Sequence, residues 1–170
     1  SLWAKLIDLY IPKLEKNEVS HIPSLVLRFC QNQSKENLKK YGSYAYLIAL
    51  YDQARSDQNV TPNLKFYNTL LGIFVKSNNH SVLTYAADLF TYFEQRHHLL
   101  DLYSLDLYAH ICSKLRDYDK VDHIMYLLDR YKITPDINLV NGIIRLGSRV
   151  SDRNKSEMHI ARALTLTTTH

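Results

Sequence analysis

The chain has 170 residues, of which 46% are apolar and 22% are charged, and its formal net charge is +4. These values are typical of an ordinary soluble domain with one core, and the weak positive charge permits a polyanionic partner without requiring one. No apolar run approaches the roughly 20 residues that a membrane-spanning helix needs, so no membrane span is predicted. Only 4 glycines and 4 prolines interrupt the chain, which favours an all-helical fold.

The first 63 residues show helical periodicity but repeat poorly. Residues 2–18 are predicted to be the second helix of an incomplete repeat, and because the sequence starts with Ser1 we expect a processed form or a fragment. Residues 19–63 are predicted to form a long, degenerate repeat. Its two helices are separated by a polar turn over Gln33–Ser43, which carries Lys35, Lys39 and Lys40. The second helix, over Tyr44–Asp57, is expected to bury Leu47, Leu50, Tyr51 and Ala54.

The clearest pattern is a helical hairpin over residues 102–136. Its first apolar stripe consists of Leu105, Tyr108, Ile111, Cys112 and Leu115, and its second consists of Val121, Ile124, Met125, Leu128 and Tyr131. Both stripes have the i, i+3, i+4, i+7 spacing of a helix that buries one face. A short polar break over residues 114–117 separates them, and Pro135 prevents the second helix from continuing.

This hairpin recurs along the chain. Leu105, Asp106, Tyr108 and Lys114 correspond, 35 residues later, to Val140, Asn141, Ile143 and Arg149, and 38 residues earlier to Tyr67, Asn68, Leu70 and Lys76. The sequence therefore predicts complete repeats over 64–101 and 102–136 and an incomplete repeat over 137–170. The second helix of the last repeat is expected over Lys155–Leu166, and its apolar residues are Met158, Ile160, Ala161 and Leu164.

A period of this length predicts an α-solenoid, in which each hairpin stacks on its neighbours and the first helices line one extended concave face. Two polar rows should recur on that face. The first row consists of Asn68, Asp106 and Asn141, and the second of Lys76, Lys114 and Arg149. An asparagine amide can pair with a base edge, and one cation per repeat matches one phosphate per nucleotide.

The sequence also resembles a known family. The Tyr67-Asn68-Thr69-Leu70 opening and the Pro135-Asp136 close resemble the pentatricopeptide repeat, over residues 64–136 and in part over 137–166. The resemblance implies an all-α, right-handed solenoid of stacked helical hairpins, with about four repeats in this chain. It also implies an RNA-binding protein of an organelle, most often the mitochondrion, that reads one base per repeat through two or three side chains.

The resemblance implies roles for individual residues. The fifth and last residues of a repeat would face a base: Asn68 with Asp101, Asp106 with Asp136, and Asn141 with a partner that the sequence does not identify. The second residue of each repeat would flank the bases: Lys65, Tyr103 and Asn138. The basic row would contact phosphates. A purely structural explanation stays open, because a late basic residue also complements the helix dipole, and a polar first-turn residue is common in any helix.

No catalytic or cofactor site is predicted. His110, Cys112 and His123 could suggest zinc, but His110 and Cys112 point to different helix faces and no fourth ligand is evident. The cysteines, Cys30 and Cys112, are expected to be small buried residues in a reducing compartment. Because the chain has no phosphate-binding glycine loop and no nucleophile motif, we expect neither a cofactor nor an enzymatic activity.

The resemblance therefore implies a mitochondrial protein that binds single-stranded RNA or rRNA and acts in RNA metabolism or translation. The first alternative is a protein-interaction scaffold inside a larger ribonucleoprotein, such as the mitochondrial ribosome. A second alternative is a regulatory subunit of an RNA-processing enzyme.

Overall fold

The computed structural model describes residues 35–56, 64–97 and 99–168. These residues form α-helices and two short 3-10 helices, and no strand occurs among them, so the predicted all-α class is confirmed. The helices are α1 (Lys35–Tyr41), α2 (Ala45–Ser56), α3 (Leu64–Phe74), α4 (His80–His97), α5 (Leu102–Leu115), α6 (Val121–Tyr131), α7 (Ile137–Gly147) and α8 (Arg153–Thr168). They pack against their neighbours as the helices of an α-solenoid do. The repeat predicted over 2–18, the helix predicted before residue 33 and Cys30 lie outside the described residues.

No helix among the described residues is both long enough and apolar enough to cross a membrane. The chain divides into two compact units, Ser1–Val82 and Leu83–His170, and the boundary falls in the first turn of α4. The helix bounds place α3 and α4 within the predicted repeat 64–101, α5 and α6 within 102–136, and α7 and α8 within 137–170.

Aromatic residues hold the described core of the first unit together. The hydroxyl groups of Tyr51 on α2 and Tyr67 on α3 are 3.1 Å apart and hydrogen-bonded, and both side chains are buried. The ring of Tyr44, in the 3-10 turn before α2, lies 6.2 Å from that of Phe74 at the end of α3. The predicted burial of Leu47 and Tyr51 is confirmed, whereas the side chains of Leu50 and Ala54 lie outside the described ones.

The first unit contains a helix where the sequence predicted a turn. The segment Gln33–Ser43 was expected to be a polar loop, but Lys35–Tyr41 forms α1, which ends at Gly42 with a φ of +58°. This prediction was wrong because it relied on an apolar stripe, and α1 has no buried residue. Lysine, glutamate and leucine are good helix formers without any such stripe, and glycine adopts the left-handed conformation that ends a helix at little cost.

The hairpin predicted over 102–136 is formed by α5 and α6 in the second unit. Leu105, Tyr108, Ile111 and Cys112 on α5, and Val121, Ile124, Met125 and Leu128 on α6, are buried as predicted. Leu115 and Tyr131, at the ends of the two stripes, are half-buried. Helix α5 packs against α7, and a Cβ on Gly142 would lie 3.8 Å from the Cβ of Ala109, an ordinary van der Waals distance. Gly142 and Ala109 therefore lie next to each other where the two first helices pack.

The buried face of α8 differs from the apolar residues that the sequence offered. Met158 and Leu164 are 56% and 52% exposed, whereas His159 and Ala163 are buried. Helix α8 approaches α7 so closely that a Cβ on Gly147 would lie 2.9 Å from the Cβ of His159. The imidazole Nε2 atom of His159 lies 3.1 Å from Oδ1 of Asp122 at the start of α6. The close contact with Gly147 and the nearby Asp122 carboxylate thus accompany the inward orientation of His159 on α8.

Candidate nucleic-acid interface

Helix α5 presents one polar stripe on the side opposite its buried face. Tyr103, Asp106, His110 and Lys114 follow one another at i, i+3, i+7 and i+11, which is helical spacing. Tyr103 is 54% exposed, His110 and Lys114 are exposed, and Asp106 is half-buried. The stripe starts with an aromatic ring and ends with a cation in the last turn of the helix.

Helix α7 presents the corresponding stripe 35 residues later. Its members are Asn138, Asn141 and Arg145, followed by Arg149 just beyond the end of the helix, and all four are exposed. Since α5 and α7 pack against each other, the two stripes occupy neighbouring first helices of the second unit. We call these eight residues on α5 and α7 the α5–α7 interface: Tyr103, Asp106, His110, Lys114, Asn138, Asn141, Arg145 and Arg149.

The predicted base-facing residues Asp101 and Asp136 are N-caps of helices. Asp101 is the N-cap of α5, and its carboxylate accepts hydrogen bonds from the Ser104 amide at 2.8 Å and the Ser104 hydroxyl at 2.6 Å. Asp136 is the N-cap of α7 and accepts a hydrogen bond from the Leu139 amide at 2.9 Å. A carboxylate at this position satisfies backbone donors that the helix itself cannot satisfy, and it complements the helix dipole.

Asp106 is held by a histidine on its own helix. The His110 Nδ1 atom lies 2.8 Å from the Asp106 carbonyl oxygen and 3.6 Å from Oδ1 of its carboxylate. This Oδ1 atom is buried and makes no hydrogen bond within the described residues.

The basic row lies at helix ends, with each cation in a different setting. Lys114 is in the last turn of α5, where it complements the dipole. Arg149 donates from Nη1 to the Tyr118 hydroxyl at 3.4 Å, and its guanidinium carbon lies 5.8 Å from the centre of that ring. Lys76 belongs to the first unit, where it is exposed in the turn after α3.

The two remaining predicted residues are on α3 in the first unit. Lys65 is exposed, but Asn68 is only 7% exposed. The Asn68 amide is therefore not presented to solvent as Asn141 is, and this burial disfavours Asn68 as a base-contacting residue. The α5–α7 interface therefore contains the predicted residues that the structure leaves accessible on adjacent helices, together with His110 and Arg145.

His110 and Arg145 are members of the interface that the sequence comparison did not single out. Each lies one helical turn after a residue of the first row, His110 after Asp106 and Arg145 after Asn141, and they are themselves 35 residues apart. Both residues lie four positions after a member of the first row. The earlier repeat does not show this polar position, because the 38-residue shift places Gly72 there.

The zinc alternative concerned His110, Cys112 and His123. His110 is exposed, Cys112 is buried, and no group of three potential metal ligands occurs among the described residues. Burial raises the pKa of the Cys112 thiol to about 12, so the thiol stays protonated at neutral pH.

An open cavity of about 390 Å³ between α4, α5 and α6 is lined by Glu94, Asp117, Asp119, Asp122, Lys120 and His123, among others. Its acidic lining is unsuited to a polyanion.

Comparison with known proteins finds a relative for this chain. No family model matches it, and no solved structure matches it. Over 136 residues it is 27% identical to the mitochondrial 15S rRNA processing factor CCM1 of Zygosaccharomyces rouxii. The match covers 78% of this chain and only 16% of that protein. The likeness connects the chain to a protein named for mitochondrial rRNA, and the pentatricopeptide resemblance stays a prediction.

Proposed function

We propose that this chain is an RNA-binding segment of helical repeats that acts in mitochondrial RNA metabolism. The observation that carries the proposal is the α5–α7 interface. There, α5 and α7 each carry exposed or half-buried polar side chains at the same four repeat positions. The two residues at each position are 35 residues apart, and the two helices pack against each other. A repeated polar surface of this kind suits a ligand that itself repeats, such as a nucleotide chain.

The side chains of the interface have the chemistry that single-stranded RNA requires. Tyr103 offers a ring on which a base can stack, and Asn138 and Asn141 offer amides that can both donate to and accept from base edges. Arg145 and Arg149 carry positive charge next to these groups, where the phosphates of a bound strand would run. The interface thus combines stacking, base-edge and phosphate contacts within two helices.

The likeness to the mitochondrial 15S rRNA processing factor CCM1 supports the compartment and the ligand class. On this basis we propose a mitochondrial location, rRNA as one ligand class, and a pentatricopeptide-like mode of binding. We also propose that the chain binds RNA without catalysing a reaction. An enzyme that acts on the bound RNA would then be a separate protein or a separate part of a longer chain.

A protein-interaction scaffold is the second candidate function. It is favoured by two apolar side chains of α8, Met158 and Leu164, which are both more than half exposed. Exposed apolar side chains on one helix are common in protein interfaces. In that case the polar residues of the α5–α7 interface would serve solubility, and RNA affinity would not depend on them.

The two functions separate in one binding experiment on the full chain. The R145E/R149E variant removes two interface cations, and the matched control K132E/K155E makes the same charge change at two exposed lysines away from the interface. The probe is a pool of short single-stranded RNA of random sequence, and affinity is measured by fluorescence anisotropy at several salt concentrations. We expect R145E/R149E to bind roughly tenfold or more weakly, and the slope of log K against log salt to fall by about 1.4.

The neutral variant R145Q/R149Q keeps the test independent of charge reversal and should show a smaller loss with the same change of slope. Equal losses in R145E/R149E and K132E/K155E would mean that only total charge matters. Unchanged affinity in R145E/R149E would exclude the α5–α7 interface and leave the scaffold function.

A further inference from the structure

The cavity of about 390 Å³ between α4, α5 and α6 concentrates negative charge in the second unit. Its charged and titratable lining includes four carboxylates, one lysine and one histidine: Glu94, Asp117, Asp119, Asp122, Lys120 and His123. Burial lowers the pKa of His123 below its usual range, so this imidazole is neutral at neutral pH. Four carboxylates and one ammonium group leave the lining with an excess of three negative charges.

Glu94 is the buried acid of this cavity. Its side chain is only 6% exposed, and Arg130 donates to its Oε1 atom at 3.1 Å. No second hydrogen bond to this carboxylate occurs within the described residues, although its two oxygens can accept about four. Removing a carboxylate from water is costly unless its oxygens are paired. Glu94 therefore keeps an unused acceptor at the cavity wall, which a donor from another molecule can satisfy.

Asp117 and Asp119 bring two further carboxylates to the cavity from the turn between α5 and α6. Both side chains are exposed, and neither accepts a hydrogen bond within the described part of the chain. Asp122, by contrast, already lies 3.1 Å from His159 Nε2. A ligand can thus engage Asp117 and Asp119 without breaking a contact of the fold.

Aromatic rings line and flank the same cavity. The rings of Tyr108 and His123, which both line it, meet edge to face with their centres 6.2 Å apart. The His123 ring lies 6.2 Å from that of Tyr126, with the two planes 22° apart, and Tyr126 is 53% exposed. A planar, delocalised cation can stack on such rings while its donors reach the carboxylates.

We propose that this cavity binds an arginine side chain of a protein partner. A guanidinium group has five N–H donors in a planar fork, which suits carboxylates on several sides, and it is less strongly hydrated than an ammonium group. The acidic lining attracts a basic protein segment and repels the phosphates of RNA. The inference is independent of the proposed RNA function, because the cavity and the α5–α7 interface share no residue.

The test uses the full chain and three labelled probes: a short peptide of alternating glycine and arginine, and its lysine and glutamate counterparts. D117N/D119N removes two charges of the cavity and keeps the shape of both side chains. The matched control E36Q/E157Q neutralises two exposed acids that do not line it. We expect fluorescence anisotropy to show that D117N/D119N binds the arginine peptide roughly fivefold or more weakly, and that E36Q/E157Q binds it within about twofold of the unmodified chain.

Two single substitutions extend the test to the cavity wall and its edge. Glu94→Gln removes the buried charge and should weaken binding of the arginine peptide by about tenfold. Tyr126→Ala removes the exposed ring and should weaken it by about threefold. Circular dichroism and the thermal midpoint establish that each variant is folded. D117N/D119N stays decisive if Glu94→Gln unfolds, because Asp117 and Asp119 accept no hydrogen bond among the described residues.

The outcomes separate this proposal from the RNA function. Failure of the arginine peptide to bind, or equal losses in D117N/D119N and E36Q/E157Q, would overturn the arginine site. Equal affinity for the lysine or the glutamate peptide would overturn it as well. A loss of single-stranded RNA binding in D117N/D119N would assign the cavity to RNA instead. Arginine-peptide binding that depends on Asp117 and Asp119, in a chain that does not bind RNA, would support the site and overturn the α5–α7 interface.

Discussion

The two units of the chain use charge differently. In the first unit, the described charged side chains are mostly lysines. In the second unit, acidic side chains are common, and several of them cap helices or pair with basic side chains. Asp101 and Asp136 cap helices, Glu94 pairs with Arg130, Asp129 with Arg162 and Asp122 with His159.

This difference shows that a mildly basic chain need not be basic everywhere. In the second unit these pairs connect α4 with α6 and α6 with α8, so Glu94, Asp122 and Asp129 each link two helices. RNA binding by that unit would depend on the few cations at the α5–α7 interface. In the first unit, lysines outnumber the described acids, so this unit would attract a polyanion such as RNA by net charge and without base specificity. Substitutions in the second unit can separate the groups that contribute to its free energy of unfolding from those that would contact RNA.

The interior of the second unit should give the largest effect. Tyr108 is buried and its ring stacks on that of Phe90, with centres 3.9 Å apart and planes 4° from parallel. We expect Tyr108→Ala to lower the free energy of unfolding by about 3–5 kcal/mol, because it leaves a large cavity. Urea denaturation followed by circular dichroism measures this change.

Tyr103→Ala, on the exposed stripe of the same helix, is the matched control. It should change the free energy of unfolding by less than about 0.5 kcal/mol and weaken the binding of single-stranded RNA, since it removes a stacking surface. A large loss of stability in Tyr103→Ala would place that ring in the core and remove it from the interface.

Loss of a cation beside a buried acid should have the next largest effect. Arg130 donates to Glu94 at 3.1 Å, and the Glu94 side chain is only 6% exposed. Arg130→Met keeps the apolar stem but leaves Glu94 without this partner, which should lower the free energy of unfolding by about 1–3 kcal/mol.

Arg162→Met is the control, because Arg162 pairs with Asp129 and both side chains are largely exposed. Its effect should be below about 1 kcal/mol, as for most surface ion pairs. Equal effects of the two substitutions would contradict the structural role assigned to the buried acid.

Alkaline pH should destabilise the second unit through its buried titratable groups. Burial raises the pKa of Cys112 from 9.0 to about 12, and burial together with the neighbouring Cys112 raises that of Tyr108 above its usual range. The folded state therefore keeps protons that the unfolded state loses, and stability falls as the pH rises above 9. For Cys112 the slope should approach about 1.4 kcal/mol per pH unit between its two pKa values.

Cys112→Ala should flatten this dependence, and urea denaturation from pH 8 to 10.5 compares the two chains. Identical slopes would show that the thiol titrates equally in both states.

The helix caps should give a smaller effect. Asp101→Ala and Asp136→Ala should each lower the free energy of unfolding by about 1 kcal/mol, because each leaves a first-turn amide without its acceptor. Asp101→Asn retains a capping oxygen and should preserve stability within a few tenths of a kcal/mol. Thermal melts measure stability, and selection from a random RNA pool measures base preference.

A changed base preference in Asp101→Asn at unchanged stability would support the predicted base-facing role in addition to the cap. An unchanged preference would leave Asp101 with the cap alone.

Sequence patterns predicted best where the structure is periodic. The stripes of α5 and α6 and the 35-residue correspondence between α5 and α7 were readable because each hairpin buries the same helical face. The positions of Tyr103, Asn141 and Arg149 on exposed surfaces follow from the same pattern. His110 and Arg145 could have been found by extending it one turn further.

Patterns predicted poorly where one specific contact overrides periodicity. Helix α1 has no buried residue and therefore shows no apolar stripe in the sequence. A hydrogen bond from Asn79 to the Lys40 carbonyl oxygen connects it to a distant turn. Helix α8 buries His159, a polar residue, because Gly147 allows a close approach and Asp122 provides a partner. Asn68 occupies the same repeat position as Asn141 but is buried, which its identity alone does not reveal.

The sequence by itself determined the helical class, the hairpin period and the chemistry available at each repeat, because these depend on local spacing and residue type. Only the tertiary structure decided which of those groups reach solvent, which acids are used as caps or ion pairs, and which distant segments a hydrogen bond connects. The physical reason is that exposure and pairing depend on contacts between residues far apart in the chain, such as Lys40 with Asn79 and Glu94 with Arg130.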